Sequence, residues 1–299
     1  MSRDPFPNDP EIDDRAERVP VPVQDDRSRD RGSDAPTLES GDHRPRPEID
    51  DSVRAYYLRN RTYILRESEF TTLVEIGKFR VVDSEDLAQF TYGGDAERMA
   101  RDLRRLERQG LVARKPVAQE PKRSERLVVL TKKAKRLLLK SGRLPQDQAI
   151  YHGLVKPREL KHDAALYRLY QKEANRIAQT GGRPLRVVLD YELKRNVQRE
   201  LAELGDAQQT RDTREQVAAR HGLALVGDRI QIPDLRLEYE TADHEHRETN
   251  LELATRNYRP RALAQKAKAG FSIYAPREDV SKLRRILDES ELTARIFSL

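Results

Sequence analysis

Between residues 79 and 142 the chain is punctuated, at short intervals, by residues that start and stop helices. Asp83-Ser84 can cap a helix over 85–90, Tyr92-Gly93-Gly94 is a turn, and Asp95 can cap a third helix over 96–109. Gly110 suits the position just past that helix, Thr131 can cap a fourth over 132–140, and Ser141-Gly142 stops it. Ahead of these, Phe70, Leu73, Val74 and Ile76 have helical spacing within 67–79. Residues 111–117 and 126–130 read as strands around the polar turn Ala118–Glu125. The order helix, short strand, helix, turn, helix, strand, charged turn, strand is that of a winged helix-turn-helix.

In that arrangement the third helix needs one apolar face for the core and one polar face for a DNA groove. Ala96, Met99, Ala100, Leu103 and Leu106 form the apolar stripe. Arg98, Arg101, Arg105 and Arg108 recur at spacings of 3, 4 and 3 on the opposite face, with Arg104 at its margin. Guanidinium groups match phosphates and guanine edges. Lys122, Arg123 and Arg126 stand at the hairpin tip, where a wing would touch the backbone. The plainer reading is a solvated face whose arginines pair with Glu97, Asp102 and Glu107.

Charge points the same way. Residues 1–52 hold 8 basic and 15 acidic residues, a net −7, while the remaining residues hold 49 and 36, a net +13. A basic body favours a polyanion partner. The acidic segment is rich in Asp, Arg, Pro and Ser and should be disordered. It reads either as a solvating tail or as a mimic that competes with DNA for the body. No Cys is present, which removes zinc fingers, disulfides and iron–sulfur ligation. No apolar run approaches the roughly 18 residues of a membrane helix, and the start lacks the apolar core of a signal peptide, so a soluble cytoplasmic protein without a membrane partner is expected.

Residues 53–66 mix aromatic and basic side chains and read as a short lead-in helix. Residues 143–160 read as a linker. From residue 161 helices and strands alternate: a helix over 161–179, a strand over 185–193, polar helices over 194–220, strand signals in 229–240 and 248–255, then helix, strand, helix and strand to the end. Leu235, Leu237 and Tyr239 alternate, as do Leu251 and Leu253 against Glu252 and Ala254. Asp234 follows Pro233 at a strand start and Glu252 sits mid-strand in the next. This is the scheme of the restriction-endonuclease-like fold, where Pro-Asp and a following Glu-x-Lys hold a divalent ion and activate water. Here the Lys position is Ala254. Lys266 and Lys268 on the following helix are substitutes, and Glu192-Leu193-Lys194 precedes Pro-Asp instead of following it. His162-Asp163 reads as a helix-start pair that caps and packs.

Taken together the motifs resemble the replication-relaxation family, DNA-binding proteins of plasmids and integrative elements, so the expected role is in plasmid replication, DNA relaxation or mobilisation, or transcriptional control. The likeness rests on 82–87, 103–112, His162-Asp163 with Tyr167, 190–192, Pro233-Asp234, Glu252, and Tyr258 through Tyr274. It covers about residues 65–275 and implies a degenerate nuclease-like second domain; with the reading of the residues the expectation is an α+β chain: a disordered acidic tail (1–52), a winged helix-turn-helix DNA-binding domain (53–142), a linker (143–160) and an inactive nuclease-like α/β domain (161–299). The expected partner is double-stranded DNA, read by Arg98, Arg101, Arg104, Arg105, Arg108, Lys122, Arg123 and Arg126. A homodimer is expected from the habit of reading paired half-sites. No cofactor is expected. The rival readings are a Mg²⁺-dependent nuclease or nickase, with Asp234 and Glu252 as metal ligands and Glu192 assisting catalysis, and a scaffold joining DNA to a relaxase or replication initiator.

Overall fold

The computed structural model describes residues 52–114, 126–145, 147–153, 159–205, 209–255, 258–289 and 296–299. Among them, helices and several separate sheets make a mixed α+β fold. No described helix is long and apolar enough to cross a membrane.

The first elements are strands. β1 (Val53–Leu58) and β2 (Arg61–Arg66) form an antiparallel hairpin, so the lead-in helix expected over 53–66 is corrected. Its physical reason is a period of two: Tyr63 and Leu65 are buried while Thr62 and Ile64 are exposed, in a segment rich in aromatic and β-branched residues.

The punctuated segment follows: α1 (Glu67–Lys78), β3 (Val82–Asp83), α2 (Ser84–Phe90), α3 (Ala96–Arg108), β4 (Val112–Arg114), β5 (Leu127–Leu130) and α4 (Lys132–Lys140). Each cap acts through its side chain. Asp83 accepts from the Glu85 N–H at 3.0 Å, Asp95 from the Arg98 N–H at 2.9 Å and Thr131 from the Ala134 N–H at 3.2 Å. Such caps satisfy donors that a helix start leaves open, each contributing about 1 kcal/mol. Gly110 takes φ +67°, which lets the Leu111 N–H reach back to the Leu106 carbonyl at 2.9 Å and close α3. The strands pair antiparallel in the order β3-β5-β4.

Residues between α4 and the next helix are packed against the body. Gln148 is buried and exchanges two hydrogen bonds with the Val187 backbone, both 3.0 Å. The Tyr151 N–H donates to the Gly77 carbonyl at 2.7 Å. A Cβ on Gly77 would lie 3.0 Å from the buried Ile150 side chain, so the close approach favours glycine there.

The second half comprises α5 (Leu160–Gln179), β6 (Arg183–Leu189), α6 (Asp190–Leu204), α7 (Arg211–Arg220), β7 (Leu225–Val226), β8 (Arg229–Ile230), β9 (Leu235–Glu240), β10 (His246–Leu253), α8 (Pro260–Lys268), β11 (Ser272–Ala275), α9 (Val280–Asp288) and β12 (Ile296–Ser298). The strand expected over 185–193 ends at Leu189, and Asp190 and Glu192 instead open α6, where acidic groups favour a helix start. Five strands form one sheet in the order β12-β11-β10-β9-β6. β9 runs antiparallel to both neighbours, while β10, β11 and β12 run parallel.

α5 joins the halves. Tyr167 is fully buried, its hydroxyl 2.7 Å from Thr91 Oγ1 and its ring edge-on to Phe79. Arg168 grips Asp86 through two hydrogen bonds of 2.9 and 3.2 Å. One hydrophobic core therefore runs from Leu58 and Leu103 through Tyr167 to Leu251 and Tyr274. The other face of the sheet is covered separately, by Leu263 of α8 and Leu283 and Leu287 of α9 packed on Ala254, Ile273 and Ala275. Strands buried on both faces explain why Ala254 and Glu252 are as buried as the leucines between which they alternate.

Candidate functional site

α3 divides as its periodicity requires. Met99, Leu103 and Leu106 are buried, while Arg101, Arg104 and Arg108 are exposed and Arg98 and Arg105 half-buried. Arg101, Arg104, Arg105 and Arg108 line an open depression of about 270 Å³ together with Arg66 from the end of β2. Among the described residues, Arg101 and Arg104 have no ion-pair partner. Arg66 carries no signal in the α3 spacing. The hairpin delivers it, which is why sequence reasoning missed it.

Beneath this surface lies a buried acidic layer. Glu69 on α1 accepts the Arg66 N–H at 2.8 Å, and its other oxygen lies 2.8 Å from Arg105 Nε, within ion-pair distance but without hydrogen-bond alignment. Burial raises the Glu69 pKa above the usual carboxylate value, opposed by the Arg66 N–H and the Arg105 charge. Asp102 is also buried. It accepts from Ser68 Oγ at 2.7 Å and Tyr92 OH at 3.1 Å, so it faces the core and not the arginines. Glu107 pairs with Arg114 at 2.6 Å. Arg105 is therefore held from below, and Arg101 and Arg104 are left to solvent.

Lys122 and Arg123 lie outside the described residues. Arg126 is placed at the foot of β5, where it pairs in two-pronged fashion with Asp83 at 3.0 and 3.1 Å and also with Glu85. These bonds tie the strand to the start of α2.

At the other candidate site, Asp234 precedes β9 and Glu252 sits near the end of β10, on neighbouring antiparallel strands. Asp234 Oδ2 accepts the Leu253 N–H at 2.9 Å and its Oδ1 lies 3.4 Å from His162 Nε2 at the start of α5. Glu252 accepts from Tyr258 OH through Oε1, and from Lys266 Nζ at 3.1 Å and the Asp234 N–H at 3.3 Å through Oε2. Lys266 also donates to the Ile232 carbonyl at 2.5 Å. Thus Lys266 of α8 reaches the carboxylate that a lysine at position 254 would have served. Glu192 does not join the pair: it is buried against Arg186. Asp163 points elsewhere, 3.3 Å from Arg80.

The two carboxylates titrate apart. Burial, and then the Asp234 charge, push Glu252 up to about 7 against the pull of Lys266 and Tyr258. Burial works to raise Asp234 too, but His162, the Leu253 N–H and Lys266 outweigh it and hold its pKa below the usual value. Each of the four carboxylate oxygens already faces a protein donor. Among the described residues no three His, Asp or Glu side chains are grouped to hold a metal ion. A divalent ion needs several such oxygens turned toward one point, so the pair as folded does not fit one.

The chain matches no protein-family model, no curated protein and no solved structure.

Proposed function

We propose that this chain binds double-stranded DNA through α3. The observation that carries the reading is the depression lined by Arg66, Arg101, Arg104, Arg105 and Arg108 on the solvent face of a short, well-capped helix. Guanidinium groups crowded at one surface repel one another, and a phosphate backbone relieves that repulsion while releasing counterions. α1, β3, α2, α3, β4 and β5 succeed one another as a winged helix-turn-helix requires, with α3 as the groove helix. Arg101 and Arg104 take the most exposed contacts, and Arg105 is pre-set by Glu69. Arg126, tied to Asp83 and Glu85, is half-exposed and braces the sheet next to α2.

The second half is proposed as a restriction-endonuclease-like domain that has kept its fold and lost its metal. The strand that follows Asp234 and the strand that bears Glu252 are neighbours, which supports the kinship. The donors that fill both carboxylates support loss of the ion and make the cluster a fastening between α5, β9, β10 and α8. The likeness of its motifs to replication-relaxation proteins supports a DNA-binding role in plasmid replication, relaxation or mobilisation, or in transcriptional control, with a scaffold that joins a DNA site to a relaxase or initiator as a rival reading. The Mg²⁺-dependent nuclease is the second reading, and the position of Lys266 is what favours it.

Fluorescence anisotropy with a labelled duplex tests the first reading. Arg101→Ala with Arg104→Ala should weaken binding by about thirtyfold to ten-thousandfold, at about 1–3 kcal/mol for each of the two contacts. Unaltered affinity would overturn the assignment of α3.

A further inference from the structure

The arginine depression on α3 is short of counter-charge among the described residues. Acidic groups close to it are engaged elsewhere: Glu67 pairs with Arg143, and Asp102 accepts from Ser68 and Tyr92 in the core. Glu69 answers from below, and its partner is Arg105. Arg66, Arg101 and Arg104 remain around the opening.

The chain enters the fold at this spot. The Ser52 carbonyl accepts the Glu67 N–H at 2.9 Å, and Val53 lies opposite Arg66 in the register of β1 and β2. Arg66 in turn lines the depression. Just before Ser52, and outside the described residues, the sequence reads Pro47-Glu48-Ile49-Asp50-Asp51, with three carboxylates and no basic group. Four residues reach at most about 14 Å, so these carboxylates are tethered beside the guanidinium groups. A ligand on so short a tether acts at an effective concentration on the order of millimolar. The same ordered run occurs earlier as Pro10-Glu11-Ile12-Asp13-Asp14. Acidic residues elsewhere in 1–52 are scattered, so an identical repeated run marks a recognition element and not average composition.

We propose that Glu48, Asp50 and Asp51 dock on the depression at Arg66, Arg101 and Arg104 and compete there with a polyanion. That this polyanion is duplex DNA rests on the reading proposed above. The docked segment offers carboxylates where DNA offers phosphates, and guanidinium groups bind both in two-pronged fashion. A segment docked about nine-tenths of the time lowers the apparent DNA affinity about tenfold, because only the open fraction binds. Anions that make several contacts at once displace it, and isolated ones do not.

In the full chain, the side-chain Nε–H signals of Arg101 and Arg104, assigned through Arg101→Lys and Arg104→Lys, report docking without any DNA. Glu48→Gln with Asp50→Asn and Asp51→Asn should move both signals. It should also tighten binding of a labelled duplex about tenfold at low salt, a gain that shrinks as salt rises. Asp25→Asn with Asp26→Asn and Asp30→Asn removes the same charge farther along the chain. It should leave the signals in place and gain about twofold at most. Equal gains in the two variants, or unmoved signals in the first, would overturn the docking. In that case a loss of duplex binding in Arg101→Ala with Arg104→Ala would still uphold α3. Moved signals in a chain that binds no duplex would uphold the docking and end the DNA reading.

Discussion

Four guanidinium groups of α3 and that of Arg66 from β2 crowd one depression, and Glu69, which answers Arg105, lies buried beneath it. Where β9 meets β10, two carboxylates lie side by side and a His, a Tyr, a Lys and two backbone N–H groups answer them. Both places concentrate charge of one sign. They differ in whether the fold itself supplies the counter-charge. Where it does, removing a partner is felt as lost stability. Where it does not, the charge remains available to a ligand, and its removal is felt as lost binding. On the proposed reading the difference separates a DNA-binding surface from a fastening, although each began in the sequence as a list of candidate site residues.

The contrast can be broken most sharply by charge reversal on α3. Arg101→Glu with Arg104→Glu should cost about a thousandfold in duplex affinity while changing stability by only about 0.5 kcal/mol per site, read by anisotropy and by urea unfolding. A loss of stability as large as the loss of binding would erase the distinction. The next largest effect is expected at the other site with the opposite sign of outcome. Lys266→Ala should destabilise by about 1–3 kcal/mol in urea and leave DNA affinity unchanged. The loss stays in that range because Glu252 can take up a proton when its partner is gone.

A smaller effect sharpens the same point through pH. A carboxyl group raised to about 7 in the fold favours its neutral form there, so its contribution is complete below the ordinary value of 4.5 and is lost as pH rises through 7. Asp163, raised to about 6 by burial, adds to the same trend. Stability should fall as pH climbs through this window, and Glu252→Gln should flatten the profile measured by thermal melts. A steeper profile in that variant would contradict the assignment. The smallest effect is expected from Mg²⁺. A millimolar ligand at ten times its dissociation constant would add about 1.4 kcal/mol. The melting temperature should stay put, and supercoiled plasmid should remain intact. Nicking that disappears in Asp234→Ala would establish the nuclease reading.

Much of the architecture was legible because the signals are local. Asp83, Asp95, Thr131 and Gly110 act on backbone groups within a few residues, so their roles follow from position alone. The hairpin was misread because aromatic and basic residues at 53–66 suggested a helix, while the period of two that places Tyr63 and Leu65 inward is short. The strand expected to run to 193 was cut at Leu189 by two acidic residues that favour a helix start. On α3 the arginine face was legible from spacing. The buried Asp102 was not: its partners Ser68 and Tyr92 come from α1 and from the turn before α3.

The sequence by itself determined the order of the helices and strands over 67–140, the side of α3 that carries arginine, and the absence of lysine from position 254. Those are properties of neighbouring residues and of helical or strand periodicity. Only the tertiary structure decided which charges would be neutralised. Arg66 joined α3 from a hairpin, Lys266 reached Glu252 from a helix fourteen residues on, and Arg126 turned from a wing tip to Asp83. Ion pairing acts over a few ångströms of space, and separation along the chain does not measure that distance.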